Sequence, residues 1–234
     1  MTMHLFAKRA NASATSSFIG VDRRPSAVKA FAFALLGAAA ICAGTRSHAA
    51  EDTALLDALS ARFSKTPVVI SEFTQTRTLS ALTRPVKSSG RLVYARDRGV
   101  IWQIDKPYRA TYVIDDEQIV EIDANNNRRA KSTKEAPAVG EVGRVFRSIV
   151  SGDRKTLIQY FGVTASGDAS KWELRLTPKD KVAPFLKSVT VRGGRFIDHI
   201  GLTEPSGDRT DLAFERQRAD SALDDADARL FAPK

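Results

Sequence analysis

Cysteine is almost missing from this 234-residue chain. Cys42 stands alone, so no internal disulfide can form and no cysteine-based zinc site can be built. Histidine is nearly as scarce, and only His199 lies beyond residue 50. That removes a histidine pair for zinc, and a lone strand histidine is ordinarily a structural or surface residue. There is no Gly-x-Ser-x-Gly elbow and no dinucleotide fingerprint, and the stretch Gly152-Asp153-Arg154-Lys155-Thr156 lacks the spacing of a phosphate loop. Asp123 to Asn127 opens like a calcium loop, but Arg128 stands where glycine is needed and Lys134 where the closing glutamate is needed. A hairpin turn is the better reading. Carboxylates fall mostly in turns, which leaves a hydrolase with paired acids as the remaining enzymatic alternative, ranked low. No repeat, low-complexity tract or interdomain linker breaks the chain. No catalytic residue, cofactor or metal site is expected.

What is present is a globular composition, 43% hydrophobic and 27% charged. The net charge of +9 is concentrated at the front. Residues 1–29 are basic and irregular, and Ala30 to Thr45 carries no charge. Arg46-Ser47-His48-Ala49-Ala50 follows, with acids beginning at Glu51. A basic region, a short apolar region and small residues before a polar start describe a secretory signal. Cleavage after Ala49 fits the small-residue rule better than cleavage after Ala50. The uncharged run is short of the ~20 residues that span a bilayer, and no later run approaches that length. Residues 1–50 are therefore expected to be a removed leader, and residues 51–234 one exported domain. Removing the leader takes six basic residues and one acid, leaving 30 basic and 26 acidic residues and a net charge of +4. The footprint of a nucleic-acid binder goes with it.

Asp52 to Ser64 carries Leu55, Leu56, Leu59 and Phe63 on one helical stripe. From Val68 the period changes to two, with Phe73, Gln75 and Arg77 on one side and Thr74 and Thr76 on the other. Alternating segments continue through Gly90 to Ala95, Val100 to Ile104, Tyr108 to Ile114, Gln118 to Ile122 and an edge at Arg128 to Thr133. Glu141 to Val150 returns to helical spacing. Strands resume at Leu157 to Thr164, Trp172 to Thr177, Phe185 to Arg192, Phe196 to Thr203 and Thr210 to Arg216. Gly167-Asp168, Gly193-Gly194 and Gly207-Asp208 read as hairpin turns. Ala222 to Phe231 reads as a short helix or coil that docks Leu230 and Phe231.

The expected fold is mainly β. About eleven strands in one antiparallel meander must curl into a barrel or half barrel. Two or three short helices supply few side chains for the concave face, which is then either packed on itself or a cavity roofed by amphipathic helices. Such a cavity suggests a hydrophobic ligand. Basic residues at Lys87, Arg91, Arg96, Arg98 and Arg128-Arg129 read mainly as solvated strand faces and turns. An arginine within an apolar alternation is more informative, because a buried guanidinium needs acceptors.

Several stretches resemble the periplasmic outer-membrane lipoprotein carrier (LolA-like) family. They are Phe73-Thr74-Gln75-Thr76-Arg77, Ser88-Ser89-Gly90-Arg91-Leu92, Arg96 with Trp102 and Pro107 after it, Leu176-Thr177-Pro178-Lys179, and Leu186 to Val191. The resemblance spans about Asp52 to Glu215. It implies an incomplete antiparallel barrel with helices as a lid over an apolar concave face. It also implies a periplasmic, non-enzymatic monomer that takes lipoprotein acyl chains from an inner-membrane releasing transporter and passes them to an outer-membrane acceptor. Arg96 maps onto the family's lid latch, which is held by backbone carbonyls. Phe73, Val100, Trp102 and Ile104 are expected in the wall, and Leu55, Leu59, Phe146 and Ile149 in the lid. Two departures suit a divergent paralogue: Asp97 replaces the proline that often follows the arginine, and Arg144 and Arg147 interrupt the lid segment. The alternative function on the same fold is a lipid-sensing or protein-binding module that holds cargo without transferring it.

Physical chemistry supports a carrier apart from the family name. Three acyl chains hold roughly 45 methylenes, and exposing them to water would cost on the order of 35 kcal/mol. A protein must cover them in transit and must also release them, which calls for two states of a lid.

Overall fold

The computed structural model describes residues 46–132 and 137–232. The expected leader falls almost wholly outside them. The strands are β1 (Val68–Thr78), β2 (Val86–Ala95), β3 (Gly99–Lys106), β4 (Ala110–Ile114), β5 (Gln118–Asp123), β6 (Arg128–Ser132), β7 (Phe161–Asp168), β8 (Lys171–Pro178), β9 (Ser188–Gly193), β10 (Ile197–Thr203) and β11 (Arg209–Asp220). The helices are α1 (Arg46–Phe63), α2 (Pro137–Ser151), α3 (Arg154–Tyr160) and α4 (Asp225–Leu230).

All eleven strands form one antiparallel sheet in the order β6-β5-β4-β3-β2-β1-β11-β10-β9-β8-β7. The chain meanders outward from β1 to β6, crosses through α2 and α3, and meanders back until β11 pairs with β1. β6 and β7 do not bond to each other, so the sheet stays open. Of the barrel or half barrel that the alternation left open, this is the incomplete one that the family resemblance implied.

The sequence pattern misreads one segment. Leu157 to Tyr160 belongs to helix α3, not to the start of a strand. Asp153 caps this helix, its carboxylate accepting from the Thr156 amide at 3.2 Å. Leu157 and Tyr160, three residues apart, are the buried pair. Over so short a run, apolar spacing cannot tell period two from period 3.6. β9 likewise starts at Ser188, later than the expected Phe185, because Lys179 to Leu186 closes on itself in turns, with the Leu186 amide donating to Val182 O at 2.9 Å.

Strand parity divides the molecule into two faces. On β1, Val69, Ser71, Phe73, Gln75 and Arg77 point to the concave side, while Val68 and Ile70 join a separate cluster with Leu230 and Phe231. The β1–β11 register shifts between Ile70 and Glu72, leaving Arg216 and Gln217 opposite Ser71, and Arg216 adopts φ 50°. One extra residue in β11 bends the sheet at its middle, as a bulge does.

Helices cover both faces. The C-terminal helix α4 seals the convex side. Arg91 on β2 grips Asp227 with two hydrogen bonds of 2.8 and 2.7 Å, and Arg128 donates to Leu230 O at 2.9 Å. Leu230 and Phe231 thereby sit on Val113, Val120 and Ile122, which is the docking expected for the tail. On the concave side, α1 and α3 pack by β7, and α2 lies by β5. α1 is fixed by Arg62, which donates to Ala169 O at 2.8 Å and Gly194 O at 2.7 Å. Phe63 meets Trp172 edge-on at 5.9 Å.

Candidate functional site

The concave face is not filled uniformly. Beside α1 and α3 the side chains close on one another: Leu59, Leu157, Tyr160, Phe161 and Leu176 are almost wholly buried. Beneath α2 they do not. A cavity of about 180 Å³ remains between the helix and strands β3, β4 and β5, extending toward β1 and β11.

The wall of this cavity follows from register. Trp102 of β3 lies opposite Leu92 on one side and Tyr112 on the other, so alternate residues of β3 and β4 face α2. Trp102, Ile104, Tyr112 and Ile114 line the space, with Ile119 from β5 and Leu212 from β11. The α2 lid supplies Val145, Phe146 and Ile149, which lie on one helical stripe. Gly143 brings the helix close to the sheet: a Cβ there would sit 3.2 Å from Ile114 Cγ2. Wall and lid touch through aromatics. Phe73 lies 4.3 Å from Trp102 between ring centroids, and Trp102 meets Phe146 edge-on at 5.3 Å. Burial raises the pKa of the Tyr112 phenol, with Glu121 adding to the shift, so this wall carries no charge near neutral pH.

Four of the sequence-expected residues, Trp102, Ile104, Phe146 and Ile149, meet at the cavity. Phe73 backs Trp102, and Val100 is fully buried in the same core. Leu59 lines a small void between α1 and β8 with Leu56 and Trp172, and Leu55 packs at the edge of that core. Neither Leu55 nor Leu59 lines the main cavity.

One end of the cavity is polar; parity along β1 puts Gln75 and Arg77 on the side of Phe73, though neither was expected among the site residues. Gln75 and Arg77 from β1, Thr210 from β11, Glu204 after β10 and Lys181 from the β8–β9 turn gather there. Arg77 is 8% exposed, and its terminal nitrogen lies 3.4 Å from Glu204 Oε1. Its Nε is buried with no hydrogen-bond partner. An unsatisfied buried donor costs about 1–3 kcal/mol.

His199 lies 3.4 Å from Asp211 Oδ1 on the side of β10 away from the cavity; its neighbour Ile200 faces inward, opposite Leu212. Among the described residues no group of three or more His, Cys, Asp or Glu could hold a metal ion. No helix among them is long and apolar enough to cross a membrane.

A family model described as outer membrane lipoprotein carrier protein LolA-like matches residues 45–210. The chain belongs to this LolA-like family. No curated protein matches the sequence. Among solved structures, a LolA superfamily protein from Nitrosomonas europaea aligns over 76% of this chain and 98% of its own, at 9% identity and a TM-score of 0.43. The lipoprotein LppX from Mycobacterium tuberculosis aligns over 74% and 98%, at 10% identity and 0.42. A chain of the MucA/MucB complex from Pseudomonas aeruginosa aligns over 76% and 60%, at 12% identity and 0.40. None of these three likenesses bears on cargo.

In this LolA-like chain Arg96 follows β2 and lines a second, polar crevice with Tyr94, Ser148 and Ser151 at the C-terminal end of α2. Its side chain is exposed, and among the described residues no hydrogen bond runs from it to an α2 carbonyl. Among the described residues, one contact that ties α2 to the sheet is an ion pair from Arg147 to Asp116, in the β4–β5 turn. Arg147, a departure from the family pattern, is thus the residue in the position of a fastener.

Proposed function

We propose that this LolA-like protein is a periplasmic carrier that holds acyl chains between α2 and the β3–β5 wall and moves them from the inner to the outer membrane. One observation carries the reading: an apolar void lies where an aromatic wall meets a single amphipathic helix, while the voids elsewhere beneath the helices on the concave face are far smaller. At about 180 Å³ the void is smaller than the ~300–1,000 Å³ of sites that enclose a drug-sized ligand. Loading therefore requires α2 to lift, and the closed state is the unloaded one. Phe73, Val100, Trp102 and Ile104 form or back the wall, and Phe146 and Ile149 form the moving side. Leu55 and Leu59 act as the fixed end of the roof. Arg96 lies beside the end of α2, placed to take a lid carbonyl when the helix shifts. Arg147 and Asp116 hold the present position. An inner-membrane releasing transporter and an outer-membrane acceptor are the partners this role requires.

The test is to purify the exported protein from its own periplasm and identify co-purifying lipid or lipoprotein by mass spectrometry. Acyl-bearing cargo is expected. A protein recovered empty that also refuses a neutral apolar fluorophore would sink the proposal. A protein that binds cargo but never hands it to acceptor vesicles is a holding module. Arg96→Leu should fold normally and change the rate of cargo release, read by transfer to acceptor vesicles; normal transfer would remove Arg96 from the mechanism.

A further inference from the structure

The polar end of the cavity has a composition that says what it would bind. Arg77 carries five N–H donors, and its one short contact is to Glu204 at 3.4 Å. Its buried Nε has no partner. Gln75, 4% exposed, accepts at Oε1 from Ser88 Oγ at 3.2 Å, which leaves its NH2 group uncommitted. Lys181 adds a second cation on the lining. Among the described residues on the lining, the donors of Arg77, Lys181 and Gln75 face one carboxylate, Glu204, with Asp208 near enough to act on Arg77 from outside the lining. Buried polar groups in folded proteins are nearly always satisfied, and Nε itself is sealed from the void, so the donors left for an acceptor there are the terminal N–H groups of the guanidinium.

The placement is also directional. Gln75 and Arg77 stand at the end of β1, and Thr210 is the partner of Arg77 across the β1–β11 ladder. Trp102, Ile114, Ile119 and Phe146 line the apolar remainder. We propose that the cavity takes a single acyl chain oriented tail-inward beneath α2, with the oxygen acceptor at its head, a carboxylate or an ester carbonyl, received by Arg77 and Gln75. Glu204 holds the guanidinium in place and competes with the ligand for it. This rests on the carrier reading and adds the polarity and orientation of the ligand.

The test uses the purified, delipidated protein with a bound neutral naphthylamine fluorophore, titrated with palmitate, methyl palmitate and hexadecane. Wild-type protein should release the fluorophore more readily to the two headed ligands than to hexadecane. Arg77→Met should weaken palmitate about tenfold, the effect of losing one charge-assisted hydrogen bond, and leave hexadecane unchanged. Arg77→Lys should recover part of the loss, and Glu204→Gln should tighten palmitate by freeing the guanidinium. A loss confined to palmitate identifies a free carboxylate as the head. An equal loss for methyl palmitate identifies the carbonyl, and either result supports the site. Unchanged palmitate affinity in folded Arg77→Met overturns the head site and leaves the cavity standing. Should that variant not fold, unchanged affinity in Glu204→Gln overturns it instead. If none of the three ligands displaces the fluorophore from wild-type protein, the cavity reading falls and this inference with it.

Discussion

The two faces of the sheet are covered by helices in opposite ways. On the convex side α4 is six residues long, yet it leaves no large void. Arg91 and Asp227 fix its place with paired hydrogen bonds, and Leu230 and Phe231 fill what lies beneath. On the concave side α2 is fifteen residues long and covers a cavity, and its Arg147 pairs with Asp116 in the β4–β5 turn. The seal is bidentate with its carboxylate buried, whereas the α2 pair has its carboxylate 82% exposed and contributes little strength. The comparison teaches that helix length does not decide which side is filled; the burial of the fastening does.

Breaking the seal should have the largest effect. The Asp227 carboxylate is 5% exposed and its partner Arg91 29%. Removing one member of a fully buried pair costs about 3–5 kcal/mol, and the partial exposure of Arg91 brings the expectation to about 2–4 kcal/mol for Arg91→Met. Denaturant unfolding should show that loss, while ligand affinity of the folded protein stays unchanged. A change in affinity would mean the two faces are coupled.

Ile149→Ala should come next. Its side chain borders existing free space, so the stability loss should be about 1–2 kcal/mol, below the usual 2–5 for such a truncation in a filled core. Ligand capacity should rise with the enlarged space, measured by fluorophore titration. A full-sized loss of stability would argue that the lid is ordinary core.

Asp116→Asn should have the smallest effect on unfolding, within a few tenths of a kcal/mol for an exposed pair, but should speed ligand exchange. The same pair sets a pH dependence. Hydrogen bonding by Arg147 holds the Asp116 carboxyl below its ordinary value of 3.8. Its contribution to lid closure is therefore complete above that ordinary value and fades as pH falls through the lowered one. Ligand exchange should quicken in that acidic window in wild-type protein and not in Asp116→Asn, by stopped-flow fluorescence.

The legibility of the molecule divides along the same lines. Alternation along β1 to β5, with hairpin turns at the glycines, was enough to foresee an antiparallel meander, while its openness and the expectation of Trp102 and Ile104 in the concave wall came from the family resemblance. The helical spacing of Phe146 and Ile149 marked the helix that faces the cavity. Helix α3 was lost because Leu157 to Phe161 is too short to reveal its period, although the Asp153–Thr156 cap was a local signal that went unused. The seal had no local signal, since Arg91 and Asp227 are 136 residues apart. Arg77 was half legible: parity puts it with Gln75 on the side of Phe73, but its partner Glu204 lies 127 residues away and gives no local signal.

An uncurled sheet keeps raw borders. β6 is bonded to β5 alone among the described strands, so its outer row of backbone groups could template the pairing of a second copy. Three of its five residues are Arg128, Arg129 and Lys131. Two molecules meeting along that border would press like charges together, which disfavours self-association without requiring the barrel to close. Crowding a compartment with many such molecules then carries little hazard of fibrils, and the gap between β6 and β7 can be kept.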